Sequence, residues 1–258
     1  MFQPRTLGRT SLSVGALGIS ASYGVPATAV ERAIDAGMTY VYWGSRRRGA
    51  FAEALRRAAS RSHPHVLVIQ SYAPFGWAIE RSLEGALRTL GRDHADVLLL
   101  GMWNRQPPQR VLDACQRLRA RGLVRFIAAS THARPVVPAL TNGTGIDIVH
   151  VRYNAVHRGA ERDVFPSLPA DHRPGIVSFT ATSWRQLLDP RRVPRGERVP
   201  TAADCYRFVL TNPVVDVCMT GPATGAHVED AVRASELGPM DESELAWMRR
   251  VGDAIYNK

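Results

Sequence analysis

The stretch Met38–Phe51, MTYVYWGSRRRGAF, concentrates groups able to do chemistry. Thr39, Tyr40 and Val41 read as a strand after the Ala36-Gly37 stop. Tyr42, Trp43, Gly44 and Ser45 follow at its end. Arg46, Arg47 and Arg48 then stand together before a helix opening at Ala50. A phenol at Tyr42 is a proton donor whose pKa a neighbouring guanidinium lowers. Arg46 and Arg48, with Arg47, would orient an anionic group. The competing expectation is a solvated basic loop with Trp43 tucked into the core.

Other side chains at segment ends invite similar roles. Tyr72 is a catalytic phenol or a rim aromatic. His132 and His157 titrate near neutral pH and suit general acid–base work, or serve as hydrogen-bonded structural residues. Trp43, Trp103 and Trp184, with Asn104 beside the second, could together wall a substrate pocket, although each alone is a packing candidate. His132 and His157 with Glu161 or Asp163 match no metal-ligand spacing, so no metal is expected. Cys115, Cys205 and Cys218 are odd in number and widely spaced, which fits a reducing cytoplasm.

The 258 residues carry a net charge of +10, and Lys258 is the only lysine. The arginines are spread along the chain without a nucleic-acid motif, so small anionic molecules are better partners than nucleic acid. No apolar run is long enough for a membrane span, and the first residues lack the apolar core of a signal peptide.

Periodicity supplies the elements that must position these groups. A hairpin is expected around Gly8-Arg9-Thr10. Strands are expected at 16–19, 39–42, 65–71, 96–100, 124–129, 146–151, 176–180 and 214–218. Helices are expected at 27–36, 50–59, 77–90, 107–121, 134–140, 160–168, 202–210, 226–235 and 241–255. The last begins with an Asp241/Glu244 capping box. Strand and helix alternate eight times with short connections, which calls for parallel strands and right-handed crossovers. In about 250 residues that is a single α/β domain, 1–258, folded as a (β/α)8 TIM barrel with an N-terminal β-hairpin cap and a C-terminal helix. A doubly wound open sheet is the alternative, but no GxGxxG follows the first strand. The barrel puts the residues named above at the C-terminal ends of the strands, where barrel active sites lie.

Five phrases, taken together, carry a family resemblance. LGRTSLSVGALG (7–18), AIDAGMTYV (33–41), SLEGALRTLGRDHADVLLL (82–100), RLRARGLVRFIAAST (117–131) and VRYNAVHR (151–158) resemble the aldo-keto reductases, in order along nearly the whole chain. The resemblance implies the same barrel and hydride transfer between a nicotinamide and a carbonyl. It places the family's catalytic aspartate, tyrosine, lysine and histidine at Tyr42, Arg47, Ser71 and Gly101, all replaced, so the standard mechanism does not operate. It assigns Ser130 and His150 to the carboxamide of NADP or NAD and Trp184 to stacking on the nicotinamide. Gly221 and Thr224, before a helix, are assigned to phosphate. Gly221 and His227 occupy places where the family has basic residues for a 2′-phosphate. The functional expectation is a nicotinamide-linked oxidoreductase on a small carbonyl, imine or alcohol, with Tyr42, Tyr72 or a pocket histidine relaying the proton. The alternatives are a non-redox lyase, cyclase or isomerase, or a ligand-binding pseudoenzyme. Arg191, Arg192, Arg195 and Arg198, in the Pro- and Arg-rich loop 189–200, read as a solvated segment.

Overall fold

A computed structural model describes residues 2–44, 49–60 and 65–257, apart from the side chains of residues 59 and 60. After a hairpin (β1, Arg5–Thr6; β2, Ser13–Val14), strand and helix alternate. The strands are β3 (Leu17–Ser20), β4 (Tyr40–Trp43), β5 (Val66–Ser71), β6 (Ala95–Leu100), β7 (Val124–Thr131), β8 (Ile148–Arg152), β9 (Gly175–Phe179) and β10 (Val217–Thr220). The helices are α1 (Ala27–Asp35), α2 (Gly49–Ser60), α3 (Gly76–Leu90), α4 (Gln109–Ala120), α5 (Val137–Thr141), α6 (Ala160–Asp163), α7 (Ala202–Thr211) and α8 (Gly225–Leu237), with α9 (Glu242–Tyr256) at the end. Strands β3 to β10 pair in parallel in chain order, and β10 pairs back with β3 to close the barrel.

Two expected helices come out broken, both at prolines. The segment 134–140 is a 3-10 turn, Arg134–Val136, followed by α5, because Pro135 and Pro138 lack the N–H a continuous helix needs. The segment 160–168 stops at Asp163 and resumes as a 3-10 turn, Phe165–Ser167, around Pro166. The expected box at Asp241/Glu244 caps α9, and a second, Thr201/Asp204, caps α7. The loop 189–200 is anchored: Val193 is buried, Arg191 pairs with Asp189, Arg198 with Asp204, and Glu197 with Arg250.

Strand parity decides what the barrel encloses. Tyr40, Val68, Val97, Leu99, Ala128, Ile148, Val177 and Val217 pack together inside it, with Leu7, Leu12 and Val14 of the hairpin closing the lower end. The alternate residues, among them Val41, Trp43, Leu67, Ile69, Leu98 and Leu100, pack outward on the helices. Each large side chain so buried is worth about 1.5–3 kcal/mol. Both faces of every strand are therefore apolar over most of their length.

The lower rim carries one device three times. Asp96 accepts the Leu67 N–H at 2.9 Å, Asp147 the Ile127 N–H at 3.0 Å, and Asp216 the Ile176 N–H at 2.8 Å. Each acid also pairs with an arginine: Arg125, Arg119 and Arg173 respectively. The carboxylates thus tie β5 to β6, β7 to β8 and β9 to β10 where conservation of a barrel's stability, not its chemistry, is at stake. Among the described residues no helix is long and apolar enough to cross a membrane.

Candidate active site

The inward-facing residues at the C-terminal strand ends enclose a cavity of 740 Å³. Its floor is polar. The Tyr40 hydroxyl meets His150 Nε2 at 2.8 Å in the barrel interior. Tyr40 has no other acceptor among the described residues, so the phenol donates and the imidazole keeps its proton on Nδ1. Burial lowers the His150 pKa to about 3 and raises that of Tyr40 well above its ordinary value. At neutral pH the pair is uncharged, and the ring that lines the cavity floor offers a donor.

Above this pair, the Tyr42 hydroxyl donates to Gln70 Oε1. Gln70 is inward on β5, whereas Ser71, one residue on, faces the helices and accepts the Ala73 N–H at 3.3 Å. Two glycines make room for the phenols. A Cβ at Gly44 would stand 2.5 Å from Tyr42 Cε1. One at Gly101 would stand 2.5 Å from Tyr72 Cε1 and 2.9 Å from Gln70 Nε2. The Tyr72 ring therefore fills the space a side chain at 101 would take. Its hydroxyl has no protein partner among the described residues.

The far wall is built under strain. Thr180, Ser183, Trp184 and Arg185, after β9, have φ of 61°, 49°, 52° and 69°, and Met102, after β6, has 61°. Such conformations cost on the order of 1–3 kcal/mol each and persist where surrounding structure enforces them, often at ligand clamps. Here they hold Trp184, 52% exposed, over the cavity. Ser130 lies opposite, its Oγ accepting the Met102 N–H at 2.9 Å. His132 packs edge-on against Phe179, with ring centroids 5.2 Å apart.

Of the residues singled out in the sequence, Tyr42, Tyr72, Ser130, His132, His150, Trp184 and Gly221 line one cavity. Others do not. Trp43 is buried outward against the helices, so the three tryptophans do not form one wall. Trp103 packs on the outer core, and its backbone N–H donates to the Ser130 carbonyl at 2.8 Å. Asn104 is a clip: its Oδ1 accepts the His132 and Ala133 N–H groups at 2.9 and 3.2 Å. His157 sits on the rim, edge-on to Trp184 at 6.3 Å, with its backbone N–H donating to Asn154 Oδ1 at 2.8 Å and its ring Nδ1 3.3 Å from the same oxygen. Thr224 caps α8, accepting the His227 N–H at 3.3 Å. Arg46, Arg47 and Arg48 lie outside the described residues. Gln70 and Phe179 join the cavity without having been singled out. Their signal was strand parity, which needs one known inward residue to read.

A model of the aldo/keto reductase family matches residues 72–183, the segment from the end of β5 to the strained turn after β9. That match covers less than half of the chain. No curated protein matches it significantly. Among solved structures, the holo form of an aldo-keto reductase from Bacillus halodurans is similar, with a TM-score of 0.81, 20% identity and 98% and 97% of the two chains covered. An aldo/keto reductase from Klebsiella pneumoniae in complex with NADP and acetate gives 0.79, 21%, 98% and 96%. The same values hold for a Klebsiella pneumoniae aldo-keto reductase in complex with NADPH. At these identities the likeness is one of fold. The four places that the sequence resemblance assigns to the catalytic set of the aldo-keto reductases read Tyr42, Arg47, Ser71 and Gly101. Of the three that are described, only Tyr42 presents a functional side chain to the cavity.

Proposed function

We propose that the chain is an oxidoreductase that binds NADP or NAD in this cavity and acts on a small carbonyl, imine or alcohol substrate through a phenolic proton relay. The observation that carries this reading is the convergence of Ser130, His150, Trp184 and Gly221 on one cavity together with the phenols of Tyr42 and Tyr72. The residues suit a nicotinamide dinucleotide. Ser130 Oγ and His150 Nδ1 are hydrogen-bonding groups for a carboxamide. The Trp184 ring is an open stacking surface. The free N–H groups at the start of α8 favour phosphate. No arginine lines that end of the cavity among the described residues, and Asp230 does. An acid there suits a free ribose hydroxyl better than a 2′-phosphate, so NAD is the preferred form.

The dinucleotide, when bound, supplies or takes the hydride. Tyr72, whose hydroxyl is uncommitted, exchanges the proton with the substrate oxygen. Tyr42 and Gln70 hold the side of the mouth against which Tyr72 packs. His150 stays neutral and polarises without protonating. Titration with NADH and NADPH, followed by nicotinamide fluorescence, tests the reading: micromolar binding supports it, and no binding at millimolar cofactor by folded protein defeats it.

The replaced catalytic places favour a second reading. Among the described residues no lysine lines the cavity, and the only carboxylate is Asp230 at its far end. A non-redox lyase, cyclase or isomerase, or a ligand-binding pseudoenzyme, would use the same mouth and bind no nicotinamide.

A further inference from the structure

Arg152 ends β8 on the inner side, two residues beyond His150 and paired in register with Phe179. Four other partly or fully buried arginines have acids: Arg119 has Asp147, Arg134 has Asp163, Arg173 has Asp216 and Arg207 has Glu244, whereas Arg5 and Arg9 are held by backbone carbonyls. Among the described residues no carboxylate reaches Arg152. Its guanidinium lies instead 6.0 Å from the centre of the Trp184 ring. Arg185, next to Trp184, lines the cavity, and its guanidinium likewise has no acid among the described residues.

The surroundings are cationic. Burial first, and Arg152 second, lower the pKa of both His132 and His157, and Arg134 adds to the effect on His157. Arg134 also disfavours the charge on Arg152, after burial, while Tyr256 favours it. Asp163, the acid of this corner, is engaged by Arg134 and Arg162. Positive charge that is partly desolvated and lacks a counter-ion is unfavourable in the free protein. Arg152 itself is not among the cavity-lining residues, but Trp184 and Arg185 beside it are, and an anion at this edge of the cavity would relieve the charge.

We propose that Arg152 and Arg185 form a carboxylate subsite beside Trp184, so that the substrate is a carbonyl compound carrying a carboxylate, of the oxo-acid class. This rests on reading the cavity as the substrate site. A planar carboxylate takes two parallel hydrogen bonds from a guanidinium fork. The subsite lies wholly on β8 and the turn after β9 and needs nothing from Arg46, Arg47 or Arg48.

The test uses acetate as the carboxylate probe and acetamide as its neutral counterpart, at fixed ionic strength, with the His132 and His157 ring signals followed by NMR through a pH titration. Acetate should raise both histidine pKa values by about one pH unit at saturation, because a nearby anion favours the imidazolium. Acetamide should leave them in place. Arg152→Gln should raise both values in the absence of ligand and abolish the acetate response. Arg185→Gln, on an exposed turn, should weaken acetate about tenfold and decides the matter if Arg152→Gln does not fold. Equal responses to acetate and acetamide, or a wild-type acetate response in the variants, would overturn the subsite. An NADH titration of the same samples separates the two ideas. Cofactor binding without an acetate response removes the subsite alone, and an acetate response without cofactor binding removes the redox reading alone.

Discussion

The Tyr40 hydroxyl and His150 Nε2, 2.8 Å apart, join β4 to β8, strands that stand opposite each other in the ring of eight. This bond crosses the barrel and sets the protonation state of the cavity floor. It also makes stability depend on pH. The folded pKa of His150, about 3, lies below the unfolded value of about 6.5. Between these values the unfolded chain binds the proton and the folded chain does not. Stability therefore falls on acidification, by about 1.4 kcal/mol for each pH unit below 6.5 from this residue. His132 and His157, also lowered, act in the same direction. Urea unfolding of wild type and His150→Gln at pH 7, 6, 5 and 4 checks this: the variant should show the shallower slope. Tyr40→Phe should cost about 1–3 kcal/mol at pH 7, since it leaves the imidazole nitrogen without its donor.

Gly101 and Tyr72 should be energetically coupled. A methyl at 101 would fall 2.5 Å from Tyr72 Cε1 and 2.9 Å from Gln70 Nε2, so Gly101→Ala must displace the ring. The expected cost is about 1–3 kcal/mol. In a Tyr72→Ala background most of that cost should vanish. A double-mutant cycle by denaturant unfolding measures the difference, and additive costs would mean the ring yields freely.

The two phenols should differ in kinetics. Tyr72→Phe removes a hydroxyl with no protein partner and should lower turnover by about 10²–10⁴ while leaving the thermal midpoint nearly unchanged. Tyr42→Phe breaks the bond to Gln70, so it should lower both turnover and stability, the latter by about 1 kcal/mol. Steady-state rates with the first identified substrate, beside thermal melts of the same preparations, check the contrast. A larger rate loss from Tyr42→Phe would move the proton donor to Tyr42.

The lower rim should be separable from the mouth. Asp216 is 2% exposed, bonded to Arg173 by both oxygens and to the Ile176 N–H. Asp216→Ala strands a guanidinium and a backbone donor and should cost about 3–5 kcal/mol. Because it lies at the opposite end of the barrel, ligand affinity measured on protein that remains folded should not change. Calorimetric binding beside chemical denaturation reads both quantities.

The order of strands and helices, the eightfold alternation and the capping box of α9 were legible in the sequence, because local propensity, hydrophobic periodicity and turn chemistry act over a few neighbouring residues. Breaks at Pro135, Pro138 and Pro166 show where one missing N–H outweighed a helical pattern. What the sequence could not decide was phase. In VLVIQS and YVYW both faces of the strand are buried, so no polar–apolar alternation marks the inward residue. Only closure of the barrel turned Tyr42 and Gln70 into the cavity and Trp43 and Ser71 away from it. Tertiary structure likewise decided that Tyr40 finds His150 across the barrel, that Tyr72 occupies the space above Gly101, and that Arg152 is left without an acid. Each of these depends on which side chains distant in sequence meet, and that is set by strand register and closure.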